Sequence, residues 1–290
     1  MTSRAALRAA LTDRLGSANE ARWMVEEVLG ARVEAEEETV RALGDLAARR
    51  LEGEPLQYVL GSWAFRTLEL SVDHRALIPR PETEQVVEVA LAELCREDQA
   101  PREPSPELWV ADLGTGSGAI ALSLAAELGT RLPGLHVAGT DVDPGALALA
   151  EENRRRVASR LPHVAAQVEL RAGSWYGALA PEWRGRVHLV VANPPYVSED
   201  EWPGLEPEVR REPRGALVAG PGSDGTPGLG AVEVVLAGAR EWLVPGRAAV
   251  VEMAPHQVRP ARELSMRAGY REVRVARDLS GRERAVVARA

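Results

Sequence analysis

The sequence predicts an α/β protein in which a largely parallel, Rossmann-like sheet of seven strands follows a small all-helical N-terminal domain. Three observations carry that prediction. Apolar, valine-rich runs at Leu108–Ala111, Val137–Thr140, Val168–Arg171, Val187–Val191 and Ala248–Glu252 alternate with helical patterns, as strands covered on both faces do. A glycine-rich segment, VADLGTGSGAI, lies between the first of these strands and the helix after it. Residues 1–62 carry mainly helical spacing.

Taken in order, Leu7, Leu11 and Leu15 share one helical face through their i, i+4 spacing. Asn19 is expected to cap a second helix bearing Met24, Val25, Val28 and Leu29, with Gly30 as its stop. A third helix is expected from Glu36 to Leu51, turning Val40, Leu43, Leu46 and Ala47 inward and ending at Gly53. Between Trp63 and Ile78 the pattern is extended, and FRTLELSV suggests a hairpin through Phe65, Leu68, Leu70 and Val72. A helix near Glu82–Arg96 and the Pro- and charge-rich connection EDQAPREPSPE lead into the strand series. Two closing strands, Glu272–Ala276 and Arg284–Arg289, flank the turn DLSGRE. The expected division is a helical domain at 1–62, an extended join at 63–80 and the sheet domain at 81–290.

The 290 residues are enough for one large domain or two unequal ones. Hydrophobic residues make up 45% but aromatics only 4%, so the core must be built from Ala, Val and Leu. All 35 basic residues are Arg, and the formal charge is −8, which argues against a general polyanion binder. A single cysteine, Cys95, excludes an internal disulfide framework and a cysteine-based zinc cluster. The chain shows no apolar leader pattern and no long apolar span, so a cytoplasmic protein without a membrane partner is expected.

The glycine segment places Asp112, Gly114, Gly116 and Gly118 before a helix starting near Ala119. Glycines there let the backbone approach a ligand and free helix N-terminal N–H groups. Alone they are ambiguous: Gly114, Gly116 and Ala119 also satisfy a relaxed dinucleotide pattern, and a tight turn without a ligand is a third option. Asp141 closes the next strand, where a carboxylate can accept both hydroxyls of a ribose. Asp143, just before Pro144, is the better helix cap. Trp175 could pack on an adenine ring or serve only in the core.

The run VVANPPYV ends a buried strand in an amide, two prolines and an aromatic. Methyl transfer to an amide or exocyclic amine must overcome a delocalised lone pair. Two acceptors, one per N–H, would hold such a nitrogen and stabilise the positive charge developing on it. Asn193 offers a side-chain carbonyl and Pro194 its main-chain carbonyl; Pro194 and Pro195 rigidify the corner, and Tyr196 can stack on a flat group.

DLGTGSG and Asp141 resemble the cofactor loop and ribose-binding acid of the class I S-adenosylmethionine methyltransferases. GEPLQYVLGSWAF (Gly53–Phe65), LIPRPETE (Leu77–Glu84), DLGTGSGAIALSLA, NPPYV and REPRGAL (Arg211–Leu217) together resemble the release factor glutamine methyltransferase family (HemK/PrmC), in order along almost the whole chain. That resemblance implies S-adenosyl-L-methionine as methyl donor, with S-adenosyl-L-homocysteine as product, and the glutamine of the GGQ loop in class 1 peptide chain release factors as acceptor. It assigns Gly114, Thr115, Gly116, Ser117, Gly118, Asp141 and Trp175 to the cofactor, with Asp112 orienting its amino-acid tail directly or through water. Asn193 would touch cofactor and substrate, with Pro194, Pro195 and Tyr196 completing the glutamine pocket. Arg80 and Glu82 would shape a cleft between the domains or form an interdomain salt bridge. A monomer with neither a metal nor a direct nucleic-acid partner is expected. NPPY also fits a ribosomal-protein glutamine methyltransferase and a DNA adenine methyltransferase; the acidic charge and the lack of a basic DNA face oppose the latter. A cofactor-sensing module without catalysis would not need the paired-acceptor corner. Departures from the family occur at Arg211, between Gly225 and Leu229, and at Met253–Ala254.

Overall fold

The computed structural model describes residues 1–96 and 107–290. Most of the expected EDQAPREPSPE connection therefore lies outside the described residues. The helical part opens on β1 (Thr2–Ser3), which pairs antiparallel with β2 (Glu34–Ala35) around α1 (Arg4–Leu15) and α2 (Ala18–Leu29). It continues through α3 (Glu37–Leu51) and α4 (Leu56–Leu60). Leu7, Leu11, Met24, Val25, Leu29, Leu43 and Ala47 form its core, with Leu15, Val28, Val40 and Leu46 packed at the edge. The cap of α2 is Ser17 rather than Asn19: the Ser17 Oγ accepts the Glu20 N–H at 3.3 Å, and Asn19 falls in the first turn. A hydroxyl three residues ahead of that N–H has the reach an N-cap needs, and Asn19 does not.

The hairpin expected at FRTLELSV is present as β3 (Ser62–Phe65) and β4 (Leu68–Ser71), with Phe65 opposite Leu68. Beyond it come α5 (Pro81–Leu94), β5 (Leu108–Leu113), α6 (Ala119–Leu128), β6 (Leu135–Asp141), α7 (Pro144–Ala158), α8 (His163–Gln167) and β7 (Val168–Ala172). The chain then forms β8 (Val187–Ala192), α9 (Gly230–Trp242), β9 (Leu243–Glu252), α10 (Val258–Arg267), β10 (Glu272–Arg277) and β11 (Glu283–Arg289). One seven-stranded sheet runs β10-β11-β9-β8-β5-β6-β7. Only β11 opposes its neighbours; β5, β6, β7, β8 and β9 are mutually parallel.

Alternation across the pleat explains the unbroken valine runs. Val191 joins the core cluster shared with α5 and α6, while Val190 joins the one shared with α9 and α10. Both are fully buried, so neither face can be polar. The strand order reverses between β5 and β8, the topological switch point where open α/β sheets bind ligands beyond their carboxyl ends. Register sets the level of the two chains leaving that crevice. Asp112 pairs with Val191, and Leu113 with Thr140, so Gly114, Asn193 and Asp141 emerge side by side. Among the described residues no helix is long and apolar enough to cross a membrane.

Candidate active site

A cavity of about 270 Å³ opens at that crevice. Gly114, Thr115, Gly116 and Ser117 form one wall, Asp141 and Trp175 another, and Thr83, Asn193 and Pro195 a third. The glycine loop is held from several sides. Gly114 and Thr115 both donate backbone N–H bonds to the Thr140 carbonyl at 2.8 Å. The Asn153 side chain, buried on α7, donates to the Ser117 carbonyl at 3.0 Å and also pairs with the Ser71 backbone. Gly114 has a φ of 76°, and a Cβ there would stand 3.4 Å from the Trp175 ring. Trp175 itself holds φ at 47°, a conformation disfavoured for a bulky residue, and its ring covers the loop.

Asp141 and Asp143 divide their work as their positions suggest. The Asp141 carboxylate accepts the Gly116 N–H at 2.9 Å and the Asp143 N–H at 3.0 Å, which fixes its orientation at the cavity wall. Each oxygen keeps a lone pair for a further donor. Asp143 Oδ1 caps α7, accepting the Gly145 N–H at 2.6 Å and the Ala146 N–H at 3.3 Å.

Asp112 lies behind the loop and does not reach the cavity wall. Its Oδ2 accepts from Thr115 Oγ1 at 2.6 Å and the Ala121 N–H at 3.1 Å. Burial pushes its carboxyl up to about 7, against the pull of those two donors. Gly118 also stays off the wall, because Leu122 and Ala150 close over it as α6 begins.

Of NPPY, Asn193 and Pro195 line the cavity, while Pro194 is buried and Tyr196 half-buried outside its lining. The Tyr196 and Val197 N–H groups both donate to the Leu217 carbonyl, and Gln257 Nε2 donates to the Tyr196 carbonyl at 2.9 Å. The Tyr196 hydroxyl lies 3.4 Å from Glu252 Oε1. Burial, then the Glu252 charge, raises that phenol's pKa. Asn193 Nδ2 donates to Thr83 Oγ1 at 3.0 Å, and Thr83 Oγ1 donates to Glu252 Oε2 at 2.8 Å.

Arg80 and Glu82 flank the site in ion pairs. Arg80 bonds Glu212, whose carboxylate also accepts the Ile78 N–H at 3.0 Å, tying LIPRPETE to REPRGAL. Glu82 lies 3.1 Å from Arg282 and 3.6 Å from Arg284. Neither residue lines the cavity, and their partners Glu212, Arg282 and Arg284 all lie within 81–290, so these ion pairs are not a bridge to the helical domain. Thr83, Asn153, Glu252 and Gln257 escaped the sequence reading. The signal available for Glu252 was a carboxylate closing an apolar strand, the same signal that singled out Asp141.

The Methyltransferase small domain family model matches residues 101–204. A release factor glutamine methyltransferase of Bordetella pertussis is 40% identical over 282 residues, covering 97% of this chain and 87% of that one. The protein of that name from Salmonella typhimurium is 36% identical over 247 residues, covering 85% and 79%. Among solved structures, the hMettl16 catalytic domain in complex with MAT2A 3'UTR hairpin 6 aligns with a TM-score of 0.51 at 13% identity, covering 89% of this chain and 84% of that one, a likeness of fold alone. With relatives this similar along most of both chains, the protein belongs to the release factor glutamine methyltransferase family.

Proposed function

We propose that the protein transfers a methyl group from S-adenosyl-L-methionine to the side-chain amide nitrogen of the glutamine in the GGQ loop of class 1 peptide chain release factors, in the cytoplasm. The observation that carries this reading is the cavity itself, which Asn193 lines together with Asp141 and the glycine loop. The residues fit the donor. The oriented Asp141 carboxylate suits the ribose hydroxyls, the loop leaves room at Gly114 and Gly116 for the tail, and Trp175 with Val142 and Ala146 supplies an apolar margin for adenine. Asp112 then acts indirectly, by bracing Thr115. When bound, the donor supplies an electrophilic methyl carbon.

Asn193 Oδ1 and the Pro194 carbonyl each accept one N–H of the glutamine amide, which turns the nitrogen lone pair toward the methyl carbon. The same two dipoles stabilise the charge that develops on nitrogen. Pro195 keeps the corner rigid and adds no competing N–H. The alkylated nitrogen is acidic and gives its proton to water, so no strong base is needed. Residues 1–62 serve as the substrate-gripping domain, with Arg80 and Glu82 bracing the cleft edge, because selectivity for one glutamine must come from surface remote from the reacting atom.

The test is to incubate the protein with labelled S-adenosyl-L-methionine and purified release factor, ribosomal protein or DNA, and to map the label by mass spectrometry. Label on the release-factor glutamine is expected, and label on DNA alone overturns the reading. Asn193→Ala should keep donor affinity but lower turnover by about 10²–10³-fold.

A further inference from the structure

Asn193 does not set its own orientation. A hydroxyl carries one proton, and a carboxylate only accepts. With the Thr83 proton directed to Glu252 Oε2, the Thr83 oxygen has only lone pairs left for Asn193. The Asn193 amide must therefore turn its NH₂ to Thr83, and its Oδ1 is the end left for the cavity. A flipped amide would set two acceptors against each other. Thr83 reaches the cavity from the first turn of α5, and Glu252 closes β9 from beneath, 1% exposed. Three elements separated in sequence converge on this one polarity.

We propose that Thr83 and Glu252 are positioning residues that fix the Asn193 side-chain amide with Oδ1 presented to the substrate nitrogen. The inference rests on the methyl-transfer reading above. It adds a specificity element, since the corner then selects an acceptor that has two N–H groups to give. The charges facing Glu252 are Arg284 on β11 and Glu82 on α5, with the Tyr196 hydroxyl on the remaining side. Burial outweighs the pull of Thr83 and Arg284 and raises the Glu252 carboxyl to about 7. A protonated Glu252 can donate to Thr83 instead, which reverses the chain and turns the amide around.

Two measurements on the full-length protein test this. In the first, kcat and the cofactor Kd are compared for Thr83→Val, Thr83→Ser and Glu252→Gln with release factor as substrate. Thr83→Val keeps the shape but removes the hydroxyl; its kcat should fall by about 10–100-fold with cofactor Kd changed less than about threefold. Thr83→Ser should recover most of that loss. The decline of wild-type kcat on the acid side should be absent in Glu252→Gln. A Thr83→Val enzyme within about threefold of wild type, or an acid limb surviving in Glu252→Gln, overturns the proposal. The second needs no substrate. The chain has three asparagines, Asn19, Asn153 and Asn193, so ¹⁵N-asparagine labelling yields three side-chain NH₂ signals. Loss of one in Asn193→Ala identifies it. Thr83→Val should move the Asn193 pair and leave the Asn153 pair, which reports the fold, in place. An unmoved Asn193 pair overturns the positioning role even if the protein methylates a different acceptor.

Discussion

Asp112 is fully buried beneath the glycine loop, and its Oδ1 has no hydrogen-bond partner among the described residues. Thr115 and Ala121 donate to the other oxygen, yet desolvation prevails and holds the carboxyl near 7. The fold thus favours the protonated form. Its contribution to stability is fully present below the ordinary value near 3.8 and is lost as pH rises through about 7. Asp112→Asn keeps the shape and cannot ionise. Its melting temperature relative to wild type should climb between pH 5 and 8, by on the order of 5 °C. A difference that stays flat with pH would show that Asp112 ionises in the fold as it does in water. Glu252 shifts in the same direction for the same reason, so the Asp112→Asn protein keeps that part of the pH slope, in common with wild type.

The segments that leave β8 and β9 hold each other. Gln257, just past β9, donates through Nε2 to the carbonyls of Tyr196 and Pro227, both at 2.9 Å. Gly228 sits at φ 68°, and a Cβ there would come within 2.2 Å of the Tyr196 carbonyl oxygen. Backbone cannot yield as a flexible side chain can, so Gly228→Ala must displace the NPPY corner. We expect a loss of about 2 kcal/mol or more in stability and a fall in kcat larger than any change in cofactor affinity. Wild-type kcat in a well-folded Gly228→Ala protein would sever this link. These contacts mark where the sequence stops being legible. Five strands of the main sheet could be located from their apolar runs, the last two from the turn between them, and Asn193 from the prolines after it, because those signals are local. Thr83 and Glu252 are 169 residues apart, and only the sheet order brings the α5 start beside the β9 end. Asn153 reads as an ordinary helix residue until β4 and the glycine loop close over it. Tyr196 could be assigned a stacking role from its type, whereas the Leu217 ladder turns its phenol toward Glu252.

At the scale of the molecule, the helical part and the segment after NPPY are joined by arginines. Arg50 on α3 bonds Glu20 on α2 at 2.9 Å and Glu208, beyond NPPY, at 2.5 Å. Arg211 donates to the Glu52 carbonyl, and its guanidinium lies 3.6 Å from where a Gly53 Cβ would stand. Partly exposed pairs of this kind contribute little to global stability, on the order of 1 kcal/mol. They do tie the helical part, proposed above to grip the substrate, to the segment beyond NPPY. Removing residues 1–60 outright is a blunt test of that role, because it also strips away Tyr58, whose hydroxyl bonds the Ala76 carbonyl at 2.7 Å beside the cavity. Charge reversal is cleaner. Arg50→Glu sets three carboxylates against one another and should loosen the helical part from residues 198–217 without touching the glycine loop. The expected result is a rise of about tenfold in KM for release factor, with the cofactor Kd within about twofold. The effect should shrink at high salt, which screens the repulsion. Equal loss of both affinities would mean that the helical part supports the fold of the catalytic half rather than the grip on its substrate.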